Sequence, residues 1–272
     1  MEILKKTIEG IEKINRESMN SKEKELNSLL KTPRGLGKME DLAIQLEGIK
    51  ENYTPDKKIV LVMAADNGVE AEKVSASKRV ITQYVVEAML SGNSSVNSLA
   101  VSFGADVKVV DLGIDSEKDF FGIINRKIMK NGTRNIRRES AMTREEAVKA
   151  IETGIEIVDE LAEKGYNLFA LGEMGIGNTT TSSAVLNVLT DIPLEEIVGR
   201  GSGINDQTLE HKKNVVKESI KINDPDKTDP LDVLAKVGGL DIAAMTGALL
   251  GCAKNRIPVV IDGLISGVSA LL

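Results

Sequence analysis

The stretch Gly172-Glu-Met-Gly-Ile-Gly-Asn-Thr-Thr-Thr181 sets a carboxylate between glycines where an apolar run gives way to polar residues. Glycines let backbone approach a ligand closely, and Asn178 or Thr179 to Thr181 can cap a helix whose free N–H groups point at an anion. A phosphate or a carboxylate suits such a place. The stretch has neither the Gly-Lys-Ser/Thr of a Walker loop nor the glycine spacing of a dinucleotide fingerprint. Its glycines alone would serve an ordinary tight turn equally well. Glu173 is what turn geometry does not explain, so Glu173 is the candidate carboxylate, with Gly175, Gly177 and Asn178 as candidate phosphate contacts.

A second glycine-rich loop, Gly199-Arg-Gly-Ser-Gly203, precedes a helix capped by Asn205 or Asp206. Arg200, Gly201, Ser202 and Gly203 can hold the other side of a phosphate, although a flexible connection explains the loop as well. Lys212 and Lys213, two turns into that helix, read as a solvated face. Asp66 either orients a ligand or begins the turn Asp66-Asn67-Gly68, and the turn reading comes first. Ser75 and Gln83 flank the start of a helix, near enough to face one pocket. His211 stands among lysines and reads as a surface residue. With one histidine and one cysteine, Cys252, the chain offers no zinc cluster and no Cys-His or Ser-His-Asp nucleophile. Chemistry here rests on carboxylates and backbone dipoles, with no metal or cofactor called for.

Three strand-like runs place these loops. Lys58–Ala65 and Val107–Leu112 are short and apolar, as buried parallel strands require, and Asn167–Leu171 leads into the loop of Glu173. Helical spacing covers 3–30, 38–50, 78–102, 143–164, 182–189 and 206–220, and a last apolar run, Ile257–Ile261, reads as another strand. Strands alternating with helices predict an α/β fold: a Rossmann-like, largely parallel sheet with helices on both faces. The break Thr32-Pro-Arg-Gly-Leu-Gly37 predicts a hinge between a small N-terminal helical subdomain, 1–35, and a large nucleotide- and base-binding domain, 36–272. Ligands of such sheets bind beyond the carboxyl ends of the strands, where the loops at Asp66 and Glu173 fall.

The balance of 42% hydrophobic and 28% charged residues is that of a globular protein. A formal charge of −6 without a basic stripe argues against nucleic acid as a partner, while leaving helix N-termini free to bind a small phosphate. The apolar stretch 242–272 is broken by Lys254, Asn255, Arg256 and Asp262, so it reads as core and not as a membrane span. The absence of a secretory pattern and of paired cysteines points to the cytoplasm.

Taken together, Leu36-Gly37 with Glu40-Asp-Leu-Ala43, Ala65-Asp-Asn-Gly-Val69, Val74-Ser-Ala76, Leu171–Thr180, Val198–Asn205, Gly238-Gly-Leu-Asp-Ile-Ala-Ala-Met245 and Arg256–Gly263 resemble the nicotinate-nucleotide–dimethylbenzimidazole phosphoribosyltransferase family. The resemblance implies transfer of ribose phosphate from nicotinate mononucleotide to 5,6-dimethylbenzimidazole, by a homodimer, in the making of the lower ligand of cobalamin. It implies that Ser75, Gln83 and Met174 line the base pocket. Gly175, Arg200, Gly201 and Gly203 would surround the nucleotide phosphate, with Glu173 and Lys212 nearest the reacting centre. Asn67 departs from the family's usual histidine, which bears on base or nucleotide preference. Family members also continue past the position of Leu272, through an Arg-Leu-Gly-Glu-Gly-like motif whose glutamate is the base. The expectation is therefore that Glu173 or a carboxylate from another chain takes the proton, or else that the protein is a catalytically impaired binder of a benzimidazole or a nucleotide.

Overall fold

The computed structural model describes residues Met1–Leu272. Helices α1 (Glu2–Glu9), α2 (Arg16–Ser28) and α3 (Lys38–Ile49) lead to strand β1 (Lys58–Ala65). Helices α4 (Ile81–Leu90) and α5 (Ser95–Ser102) precede β2 (Ala105–Gly113) and the two-residue β3 (Ile124–Asn125). Then come α6 (Arg144–Glu163), β4 (Leu168–Met174), α7 (Asn178–Thr190), the single-turn α8 (Leu194–Ile197) and α9 (Asp206–Asn223). The chain ends with α10 (Pro230–Val237), α11 (Leu240–Lys254), β5 (Val259–Val260) and α12 (Leu264–Leu271). The single helical stretch expected over 78–102 is two helices, because Gly92 takes a left-handed φ of 78° and the Ser94 side chain accepts from the Asn97 amide to start α5 anew.

All strand pairs are parallel, in the order β3-β2-β1-β4-β5. Alternation along β1 sends Ile59, Leu61 and Met63 to a large core shared with α6 and α11, and Val62 and Ala64 to a smaller one shared with Val86 of α4. Helices therefore cover both faces, as the unbroken apolar runs of β1 demand. Complete burial of Leu61, Met63, Leu112 and Phe169 contributes about 1.5–3 kcal/mol apiece. The apolar stretch after residue 240 is explained by α11, which packs between α6 and the sheet with Leu240 and residues 242–245 fully buried. At the N-terminus, α1 lies against α6 and α11, with the Met1 amino group 2.6 Å from Glu152, whereas α2 packs on α3.

β1 and β4 are neighbours although β2 and β3 lie between them in sequence, so the chain reverses direction across the sheet at this pair. A crevice opens at the carboxyl ends of strands flanking such a reversal. Ala65 and Met174 end the two strands there, in register with Met63 opposite Glu173.

Candidate active site

Glu173 is a strand residue. The apolar run alone ends the strand at Leu171, but Gly172, Glu173 and Met174 continue the ladder against Val62, Met63 and Ala64. The carboxylate thereby stands on rigid backbone instead of a loop. Gly175 follows at a close crossing: a Cβ there would lie 1.9 Å from the Ala65 carbonyl oxygen. Gly177, with φ 100°, turns the chain into α7. The capping residue is Gly177, not Asn178 or the threonines, because the Asn178 side chain is engaged elsewhere. Its Nδ2 donates to Glu173 Oε2 and, at 3.0 Å, to Asp241 Oδ2.

Glu173 and Thr179 both line a cavity of about 660 Å³ whose other walls are largely apolar, among them Val62, Ala170, Leu171, Leu264 and Ile265. Thr179 is the junction to the second loop. Lys212 Nζ donates to Thr179 Oγ1 at 2.8 Å and to the Gly199 carbonyl at 3.2 Å, and a methyl group on Gly201 would stand 3.1 Å from the same hydroxyl. Ser202 Oγ lies 3.2 Å from Ser75 Oγ, which ties the residue expected at the base to the loop expected at the phosphate. Glu173, Gly175, Gly177, Asn178, Lys212, Gly201, Ser202 and Ser75 thus form one connected constellation.

Other expected residues stand apart from it. Arg200 holds its own loop, donating to the Ile204 carbonyl at 2.9 Å and pairing with Asp206. A side chain on Gly203 would meet nothing within 4 Å. Gln83 accepts from Ser116 Oγ at 2.9 Å, and Met174 packs on the small core of Val62, Val86 and Val109; neither lines the large cavity.

The electrostatics of the cluster are unusual because its charges are buried. Burial, and then the nearby Asp241 carboxylate, push the Glu173 carboxyl up to about 7 against the hydrogen bond from Asn178. Burial likewise raises Asp241 to about 6, opposed by Asn178 and the Ile242 amide. Lys212 is 1% exposed and is lowered to about 8 by burial. It has no carboxylate within salt-bridge distance, so the solvated-face reading of the helix fails at this position. A buried ammonium beside exposed glycine amides is an anion site waiting for its anion.

Several residues that sequence reasoning missed hold this arrangement. Asp66 is buried rather than a turn residue: it accepts from Thr82 Oγ1 at 2.6 Å and from the Asp115 amide at 2.9 Å. Thr82 Oγ1 in turn accepts from the Ile176 amide at 3.2 Å, which couples the end of β1 to the Gly175–Gly177 turn. Asp241 opens the apolar helix α11, and a lone carboxylate before an apolar helix is the signal that could have found it. His211 is also not free surface; its Nε2 lies 2.7 Å from the Glu72 carbonyl.

A sequence model of the phosphoribosyltransferase family matches residues 11–272. The nicotinate-nucleotide–dimethylbenzimidazole phosphoribosyltransferase of Acetivibrio thermocellus is 47% identical over 271 residues, which is 99% of this chain and 77% of that protein. The chain belongs to this family. The enzyme of the same name from Ruminiclostridium cellulolyticum is 50% identical over 97% of this chain and 75% of its own length. Among solved structures, CobT from Thermus thermophilus superposes with a TM-score of 0.89 at 34% identity, covering 94% of this chain and 77% of its own. The parallel α/β fold is thus the family's fold. No helix is long and apolar enough to cross a membrane.

Proposed function

We propose that this phosphoribosyltransferase moves the 5-phosphoribosyl group of nicotinate mononucleotide to 5,6-dimethylbenzimidazole, giving α-ribazole 5'-phosphate and nicotinate. The bond from C1' to the pyridinium nitrogen breaks and its electron pair returns to the ring. A new bond forms from C1' to the unprotonated imidazole nitrogen of the base, with inversion, and the imidazole N–H proton passes to a carboxylate. Nicotinate leaves from a cationic nitrogen as a neutral ring, so its departure needs no acid. What the protein must supply is anion binding, orientation and a proton acceptor.

The observation that carries this reading is the contiguity of Glu173, Asn178, Thr179, Lys212 and Gly201. Lys212, Gly175, Gly177, Gly201 and Ser202 would hold the phosphate. Glu173, half charged near neutrality, would take the proton, because a group whose pKa matches the working pH both accepts and releases it readily. Ser75 stands next to Ser202 on the side assigned to the base, with Gln83 and Met174 beyond it, and Arg200 would swing from Asp206 to the phosphate. The high identity over nearly the whole chain favours catalysis over the impaired binder. The same reading takes the protein as a cytoplasmic homodimer, for which the exposed Leu99, Val101 and Phe103 around the end of α5 offer apolar surface. It keeps 1–35 as a subdomain of its own.

The test is incubation with nicotinate mononucleotide and dimethylbenzimidazole, followed by chromatography. Nicotinate and α-ribazole phosphate should appear in equal amounts, and binding of both substrates without either product would support the impaired binder instead.

A further inference from the structure

Asp241 is wholly buried at the first turn of α11, and Asn178 Nδ2 bridges its carboxylate to that of Glu173. A buried carboxylate normally finds a cation. Asp241 has none: its partners are Asn178, the Ile242 amide at 3.0 Å and the Asn67 side chain. Gly239 is compact enough to leave this space open, since a Cβ on it would meet Asp241 Oδ1 at 2.4 Å and Asn67 Oδ1 at 2.8 Å. Two acids sharing one amide, with no cation to separate their charges, titrate as a coupled pair.

We propose that Asp241 is a positioning residue for Glu173, acting through Asn178. The bridge locks the Asn178 amide with both its hydrogens directed at carboxylates, which fixes the Glu173 carboxyl against the cavity. The buried negative charge of Asp241 then disfavours a second charge on Glu173, so Glu173 stays ready to hold a proton until the base arrives. The charged groups around Glu173 are few. Asp241 comes from α11 and Asp262 from the segment after β5. Lys212 reaches Thr179 on the neighbouring helix, α12 carries no charged residue, and Glu87 of α4 is paired with Lys118 at the surface. Asn67 belongs to the same network: it is buried, accepts from Thr181 Oγ1 at 3.5 Å and lies beside Asp241, away from Ser75 and Gln83. Its difference from the family histidine therefore bears on the acid pair and not on the base pocket. An imidazolium there would pair with Asp241 and release Glu173 to ionise at lower pH.

The inference rests on Glu173 being the proton acceptor, and two readouts separate the claims. The Glu173 carboxyl is titrated by carbon-13 NMR in the ligand-free protein, and kcat/KM is followed against pH, for wild type, Asp241→Asn and Asn67→His. In both variants the Glu173 titration should move down by about one pH unit, and the acid limb of kcat/KM should move with it. Asn67→His retains Asp241 and serves if Asp241→Asn does not fold, with thermal unfolding as the check. A Glu173 titration unchanged in a folded variant overturns the coupling. A titration that moves while the rate profile stays put overturns the assignment of Glu173 as acceptor, and with it the role given to Asp241.

Discussion

Replacing Lys212 with methionine should make the empty protein less dependent on pH and the nucleotide harder to hold. Burial lowers the ammonium from its ordinary 10.5 to about 8. In the unfolded chain the same group keeps its proton up to 10.5, so between about 8 and 10.5 the unfolded state binds more protons and stability rises with pH. Below that window the cost of burying the charge is fully present, and at about 1.4 kcal/mol per pH unit it comes to about 3 kcal/mol. Lys212→Met lacks this term. Urea midpoints taken from pH 7 to 10.5 should therefore gain stability in wild type relative to the variant by up to that amount. In the opposite direction, losing a charge-assisted hydrogen bond to the phosphate should weaken nicotinate mononucleotide by about 1.5–3 kcal/mol, roughly tenfold to a hundredfold by calorimetry at pH 7. Unchanged affinity in the variant would show that Lys212 only holds Thr179 and Gly199 together. Parallel pH curves for the two proteins would show that burial of the ammonium costs the fold nothing.

Other perturbations read other parts of the site. Gly175→Ala would press a methyl group to 1.9 Å from the Ala65 carbonyl, so β1 and β4 must part at their carboxyl ends; a lower melting temperature and impaired turnover should appear together. Thr82→Val strips Asp66 of a donor and the Ile176 amide of its acceptor, and should cost about 1–3 kcal/mol for each orphaned group in chemical unfolding. Cys252 is buried and burial drives its thiol far above the ordinary range, so iodoacetamide should label it only when denaturant unfolds the chain.

The strands that position the site are plain in the sequence, because a strand buried on both faces must be apolar throughout, and Lys58–Ala65 and Val107–Leu112 are. Asn205 capping α9 is equally legible, since its side chain does what that residue does before a helix, accepting from the Thr208 amide at 2.9 Å. β3 is not, being two residues at the sheet edge with no apolar run of its own. The reach of β4 through Glu173 is hidden for a different reason: glycine and glutamate are poor strand formers, and only pairing with β1 carries them into the ladder. At the site, glycines announce the backbone approach, but Lys212 and Asp66 are misjudged by the rules that usually place lysine on the surface and Asp-Asn-Gly in a turn. Both rules describe groups that can reach water. Asp241 and the network role of Asn67 escape notice because their partners come from distant parts of the chain, and no local spacing encodes that meeting.

Catalysis by this site turns on Glu173 as a carboxyl poised near neutrality beside a bound nucleotide. The most direct measurement is kcat/KM for nicotinate mononucleotide and dimethylbenzimidazole from pH 5 to 9, in wild type and in Glu173→Gln. Wild type should show an acid limb near the value of about 7 to which burial raises Glu173, and the variant should lose the limb and roughly a hundredfold to ten-thousandfold in rate with little change in KM. A variant that keeps both the rate and the limb would contradict this role for Glu173.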